Sequence, residues 1–130
     1  MKTSLLPLAV IVLFAIAPAL AQPLTCPAIA PSSWGLANAR LESVRVLSYP
    51  AGEQIDDSGP LPIMAPGQER EHGGTLLQIW RMNTDAPKYI YKFDCLFTGT
   101  DRFLRIEAST VKRCTATSRQ ADKSFSFHCK

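Results

Sequence analysis

The sequence has two histidines, no C-x-x-C pair and no catalytic glycine or serine motif, and each shortage removes a class of chemistry. A zinc site draws on closely spaced cysteines or clustered histidines, and here Cys26, Cys95, Cys114 and Cys129 stand far apart. The absence of G-x-S-x-G, of a phosphate-cradling glycine loop and of H-E-x-x-H excludes the common serine hydrolase, P-loop and zinc protease signatures. Asp56-Asp57-Ser58-Gly59 has the start of a calcium loop but neither its alternating ligands nor its closing glutamate. Glu69 and His72 read as part of a solvated loop, and His128 as a residue facing solvent. No catalytic residue, metal ligand or cofactor is assigned.

Long runs of one charge are also missing. The chain carries 14 Lys and Arg, one of them Lys2 near the start, against 11 Asp and Glu. That balance is too even to imply nucleic acid. Arg102, Arg105, Lys112, Arg113, Arg119 and Lys123 lie near Phe103, a pattern that suits a stacking groove, yet it also describes the outward positions of amphipathic strands. The reading is therefore no nucleic acid partner. The apolar run near the start is broken by Pro7 and Pro18 and is too short for the roughly 20 residues of a membrane span.

What that run offers instead is a secretory signal over residues 1–21. Lys2 supplies the positive start, and Ala19 and Ala21 supply the small residues before a cut at Gln22. Residues 22–130 then form one domain, with no transmembrane span, in the periplasm or outside the cell. An even number of cysteines in a small exported chain predicts two disulfides.

The densest pattern is KYIYKFDCLFTGTDRFLRI, residues 88–106. Tyr89, Tyr91, Phe93, Cys95 and Phe97 fall on one side of a strand, and Ile90, Lys92, Asp94 and Leu96 on the other. Thr98-Gly99-Thr100-Asp101 turns the chain back, pairing Cys95 with Leu104 and Phe93 with Ile106. RLESVRVLSY and TLLQIWRM read as two further strands, although a helical start around Trp34 stays open. A turn at 83–88 would set Trp80 opposite Tyr91, because their apolar sides agree. A last hairpin places Cys114 opposite Cys129 and Ala116 opposite Phe127.

The fold class is thus mainly β: a small antiparallel sheet, sandwich- or barrel-like, of five to six strands, stapled by two disulfides and with little helix. Residues 22–39 form an irregular arm. Residues 50–74 form a long loop without strand or helix period, whose Leu61-Pro62-Ile63-Met64 stretch either packs back on the body or stays exposed. Two pairings of the cysteines remain: Cys114–Cys129 with Cys26–Cys95, or Cys95–Cys114 with Cys26–Cys129.

Cys26-Pro27, Trp34, Leu41 with Val44, Leu61-Pro62, Trp80, Tyr91 with Cys95, Gly99-Thr100, Cys114 and Cys129 together resemble a family of small exported proteobacterial proteins of unassigned function, some encoded near type VI secretion gene clusters. The resemblance implies a two-disulfide periplasmic β domain and brings no catalytic or ligand residues. The 50–74 loop is longer and richer in proline than that pattern.

The functional expectation is a non-enzymatic module that binds another periplasmic or delivered protein, of the inhibitor or immunity type. Its candidate contacts are the acidic Glu53, Asp56, Asp57, Glu69 and Glu71, suited to a basic cleft. The alternative is an envelope-associated accessory protein that meets anionic lipid or peptidoglycan through Arg113, Arg119 and Lys123. Oligomeric state stays open.

Overall fold

The structure is a computed structural model and describes residues 11–13, 24–83 and 88–130. Residues 1–21, read above as a secretory signal, lie outside the described residues apart from residues 11–13, as does most of the 83–88 connection.

Among the described residues the strands are β1 (Leu24–Thr25), β2 (Leu41–Pro50), β3 (Gln68–His72), β4 (Thr75–Arg81), β5 (Tyr89–Phe97), β6 (Phe103–Glu107), β7 (Arg113–Arg119) and β8 (Ser124–Cys129). A single 3-10 turn, Ser32–Trp34, stands where a longer helix was conceivable. The strands form two antiparallel sheets, one ordered β2-β5-β6 and the other β1-β8-β7-β4-β3. The six strands read from the sequence are all present, and the short β1 and β3 are added to them.

Period-two alternation explains the packing. Tyr91, Phe93, Cys95 and Phe97 of β5 turn inward with Val46 of β2, and meet Trp80, Cys114, Ala116, Phe127 and Cys129 from the larger sheet. Phe93 and Phe127 touch across the core with ring centroids 4.8 Å apart, and Trp80 meets Phe127 edge-on at 5.8 Å.

Both hairpins keep their expected register, with Cys95 opposite Leu104, Phe93 opposite Ile106, Cys114 opposite Cys129 and Ala116 opposite Phe127. Arg113 and Lys130 exchange both backbone N–H···O bonds. Their neighbours Cys114 and Cys129 therefore form a non-hydrogen-bonded pair, where opposed side chains come closest, and they are disulfide-bonded. Cys26 joins Cys95 and fastens the arm to β5. This decides between the two pairings.

The pairing of Trp80 with Tyr91 is corrected. β4 lies in the larger sheet, where Trp80 is opposite Cys114, while the neighbours of β5 are β2 and β6. The matching apolar sides of β4 and β5 meet through the shared core rather than along a ladder. The 50–74 loop is corrected in one part, since Gln68–His72 forms β3 against β4. Gly73 and Gly74, at φ 56° and 78°, make the two-residue turn that fits strand twist.

The Leu61–Met64 stretch packs back on the body. Ser48 N–H donates to the Pro62 carbonyl, Met64 N–H donates to the Val46 carbonyl, and Ile63 bridges Leu47. The Trp80 indole N–H, 2.9 Å from the Met64 carbonyl, ties the same segment to the other sheet. At the other end of β2, Leu41 N–H donates to the Ala28 carbonyl of the arm. The free edge of β2 is thereby covered along both halves.

Candidate docking surface: a buried aspartate between two arginines under an acidic strap

The outward positions of β5 include Asp94, which has no exposed surface. A buried carboxylate is costly unless it is paired and hydrogen-bonded. Register supplies the partners, because Arg45 on β2 and Arg105 on β6 lie directly opposite Asp94 on either side. Arg45 donates to Oδ2 from Nε at 3.2 Å and from Nη2 at 3.0 Å. Arg105 donates from Nε to Oδ1 at 2.7 Å and from Nη2 to Oδ2 at 3.0 Å. Both guanidiniums also lie over the Phe103 ring, at 4.9 and 5.0 Å from its centroid.

Arg105 has a second carboxylate partner. It donates from Nη1 to Asp57 Oδ2 at 3.2 Å and from Nη2 to Asp57 Oδ1 at 2.9 Å, a bidentate fork. Its hydrogen bonds to Asp94, and then those to Asp57, hold its proton more firmly than an ordinary arginine does, against the opposing effect of burial.

Asp57 belongs to the 51–60 segment, so that segment reaches from the end of β2 to β6 as a strap across the smaller sheet. Two turns shape it. Glu53 N–H donates to the Pro50 carbonyl, with Gly52 at φ 92°. Asp56 Oδ1 accepts from the Ser58 hydroxyl at 2.6 Å and from the Ser58 N–H at 3.0 Å. These bonds, the hydroxyl first, hold the Asp56 carboxyl below its ordinary value. Leu47 and Tyr49 have outward register positions and stand apart from the main core, yet they are 0% and 7% exposed. Ile63 bridges Leu47, and the Lys92 ammonium lies over the Tyr49 ring.

The five acidic candidates are divided by the fold. Glu53, Asp56 and Asp57 are exposed on the strap, whereas Glu69 and Glu71 are exposed on β3, an edge of the other sheet. Glu69 accepts a hydrogen bond from Gln78 Nε2 at 2.8 Å. Asp57 is engaged with Arg105 and Asp56 with its own turn, which leaves Glu53 the least committed acid on the strap. Glu69 and His72, three apart on a strand, point to opposite sides and do not converge. Among the described residues no group of three His, Cys, Asp or Glu is placed to hold a metal, and both cysteine pairs are oxidised.

Sequence reasoning did not bring Arg45, Asp94, Arg105 and Phe103 together; Arg105 and Phe103 entered it only as members of a nucleic-acid stacking groove. A signal for half of the row was present, since the register that sets Cys95 opposite Leu104 also sets Asp94 opposite Arg105. Arg45 was hidden by the misplaced neighbour of β5.

No family model, curated protein or solved structure matches the chain. Among the described residues no helix is long and apolar enough to cross a membrane. Two disulfides fit an oxidising compartment.

Proposed function

We propose that this protein is a non-enzymatic, exported binding module, periplasmic or secreted, which takes a basic protein partner against the strap side of its smaller sheet. The observation that carries the reading is the Asp57–Arg105 fork, which fixes an acidic segment on a rigid frame before any partner arrives. A loop already ordered loses little conformational entropy on binding.

The ends of the strap add apolar contact. Tyr89, 51% exposed, lies opposite Pro50 where the strap leaves the sheet, and Ile63, 61% exposed, lies opposite Leu47 where the chain returns. Tyr89 offers an aromatic anchor and the uncommitted Glu53 a charge complementary to a basic protein. The inhibitor or immunity reading follows, with the strap entering the cleft of a wall-degrading enzyme or a delivered toxin. The resemblance to small exported proteobacterial proteins agrees with this and adds no residue roles.

The test is capture of basic exported proteins and toxin domains at low and high salt by the processed protein and two variants. Glu53→Lys and Tyr89→Ala should each weaken a salt-sensitive complex by about tenfold, the loss of a typical interface hot spot. Capture that is indifferent to both substitutions would rule out the strap side as the binding surface.

A further inference from the structure

The opposite side of the sandwich has a different chemistry. Register fixes which residues share the outer face of the larger sheet. Trp80, Cys114, Ala116, Phe127 and Cys129 turn to the core, so their strand neighbours turn out. Arg81 lies opposite Arg113, Leu77 lies between Arg70 and Thr117, and Thr75 lies between His72 and Arg119. Thr115, Thr117, Ser124, Ser126 and His128 continue the face across β7 and β8.

This face holds four arginines and no aspartate or glutamate at any of its paired positions. Glu69 and Glu71 alternate to the other side of β3. Arg70, Arg81, Arg113 and Arg119 are all exposed, and none has an ion pair or side-chain hydrogen bond among the described residues. The acid nearest in effect is Asp122 in the β7–β8 turn, whose carboxyl is held low mainly by Ser124 and, least, by Arg119. Lys123 also lies in that turn, outside the paired positions of the face. Directly opposed like charges such as Arg81 and Arg113 weaken a ladder, so this fold keeps an arrangement that costs it stability.

We infer that this acid-free face docks on an anionic lipid surface. The layout of the cations selects the occupant. Arg81 and Arg113 stand at one end of the face and Arg119 at the other, six residues or about 20 Å away along the strands, while Arg70 stands on the β3 edge two strands from β7. A polymer chain lies along a line, whereas a two-dimensional scatter of cations matches a two-dimensional array of phosphate headgroups. The side chains between them include Thr115, Thr117, Ser124 and Ser126, while Leu77 is half-buried and Ile79 buried, so no large apolar side chain stands exposed on the face for insertion. Attachment is electrostatic and reversible. It leaves the strap, on the opposite face of the sandwich, turned toward the aqueous space.

The experiment is co-sedimentation of the processed protein with phosphatidylcholine vesicles, with and without about one third phosphatidylglycerol, the anionic fraction providing the surface charge. Binding is expected only to the anionic vesicles, and it falls steeply as salt is raised. Arg81→Gln and Arg119→Gln should each weaken it about fivefold. Lys88→Gln, the same loss of charge at the strap, should leave it unchanged, as should Glu53→Lys and Tyr89→Ala, which separates this result from the fate of the strap reading. Equal binding to neutral vesicles, or equal losses from Lys88→Gln and Arg81→Gln, would overturn the proposal. So would retention on a soluble polyphosphate without retention on vesicles, which would make the occupant a polymer.

Discussion

At the scale of the residue, Asp94 shows how a charge is accommodated inside a small β domain. Its carboxylate is fully buried, but four N–H bonds from two register neighbours surround it, and Arg45 and Arg105 keep 28% and 21% of their side chains in water. Removing the carboxylate leaves two cations facing each other across β5. Asp94→Ala should therefore cost about 3 kcal/mol, the lower end of the range for breaking a buried pair because the arginines regain some solvent; urea denaturation measures it. Asp56 offers a second check. Its ionised form is favoured in the folded strap, so the associated stability is present above the ordinary carboxyl value of 3.8 and is lost as pH falls through the lower folded value. Ser58→Ala removes the largest cause, and the Asp56 pKa followed by NMR titration should rise toward 3.8.

At the scale of the element, legibility followed the hydrophobic pattern. The hairpins β5–β6 and β7–β8 were readable in register because alternating aromatics, cysteines and tight turns agreed on one buried side. Strand β3 was not, because Gln68-Glu69-Arg70-Glu71-His72 is exposed throughout and has no apolar period to detect. Its charged side chains suit an edge that resists further pairing. The neighbour of β4 was misjudged because a shared core and a shared ladder leave the same trace in the sequence: Trp80 and Phe93 both pack on Phe127 from opposite sheets. The two disulfides act at different ranges, closing separations of 15 and 69 residues. In the chain-entropy account, replacing both cysteines by alanine should cost about 3 kcal/mol for Cys114–Cys129 and about 4 kcal/mol for Cys26–Cys95. Thermal unfolding of the two double variants should rank them in that order.

At the scale of the whole molecule, the sandwich separates two surfaces. One sheet carries the strap and its acids over a row of half-buried Arg45, buried Asp94 and half-buried Arg105, and the other presents arginines, serines and threonines without an acid in register. The candidate acids were visible in the sequence as a cluster between 53 and 71, but their division between strap and β3 edge was not, since it depends on where the chain leaves β2 and returns to pair with β4. A strap side that binds without first ordering requires the strap to be in place in the free protein. Backbone NMR order parameters for the amides from Gly52 to Gly59 test this most directly, in the wild type and in Asp57→Ala, which releases the strap while leaving the Asp94 row intact. Values of about 0.8 are expected in the free wild type and below about 0.6 in the variant. Values below about 0.6 in the wild type, unchanged by Asp57→Ala, would contradict a strap already in place.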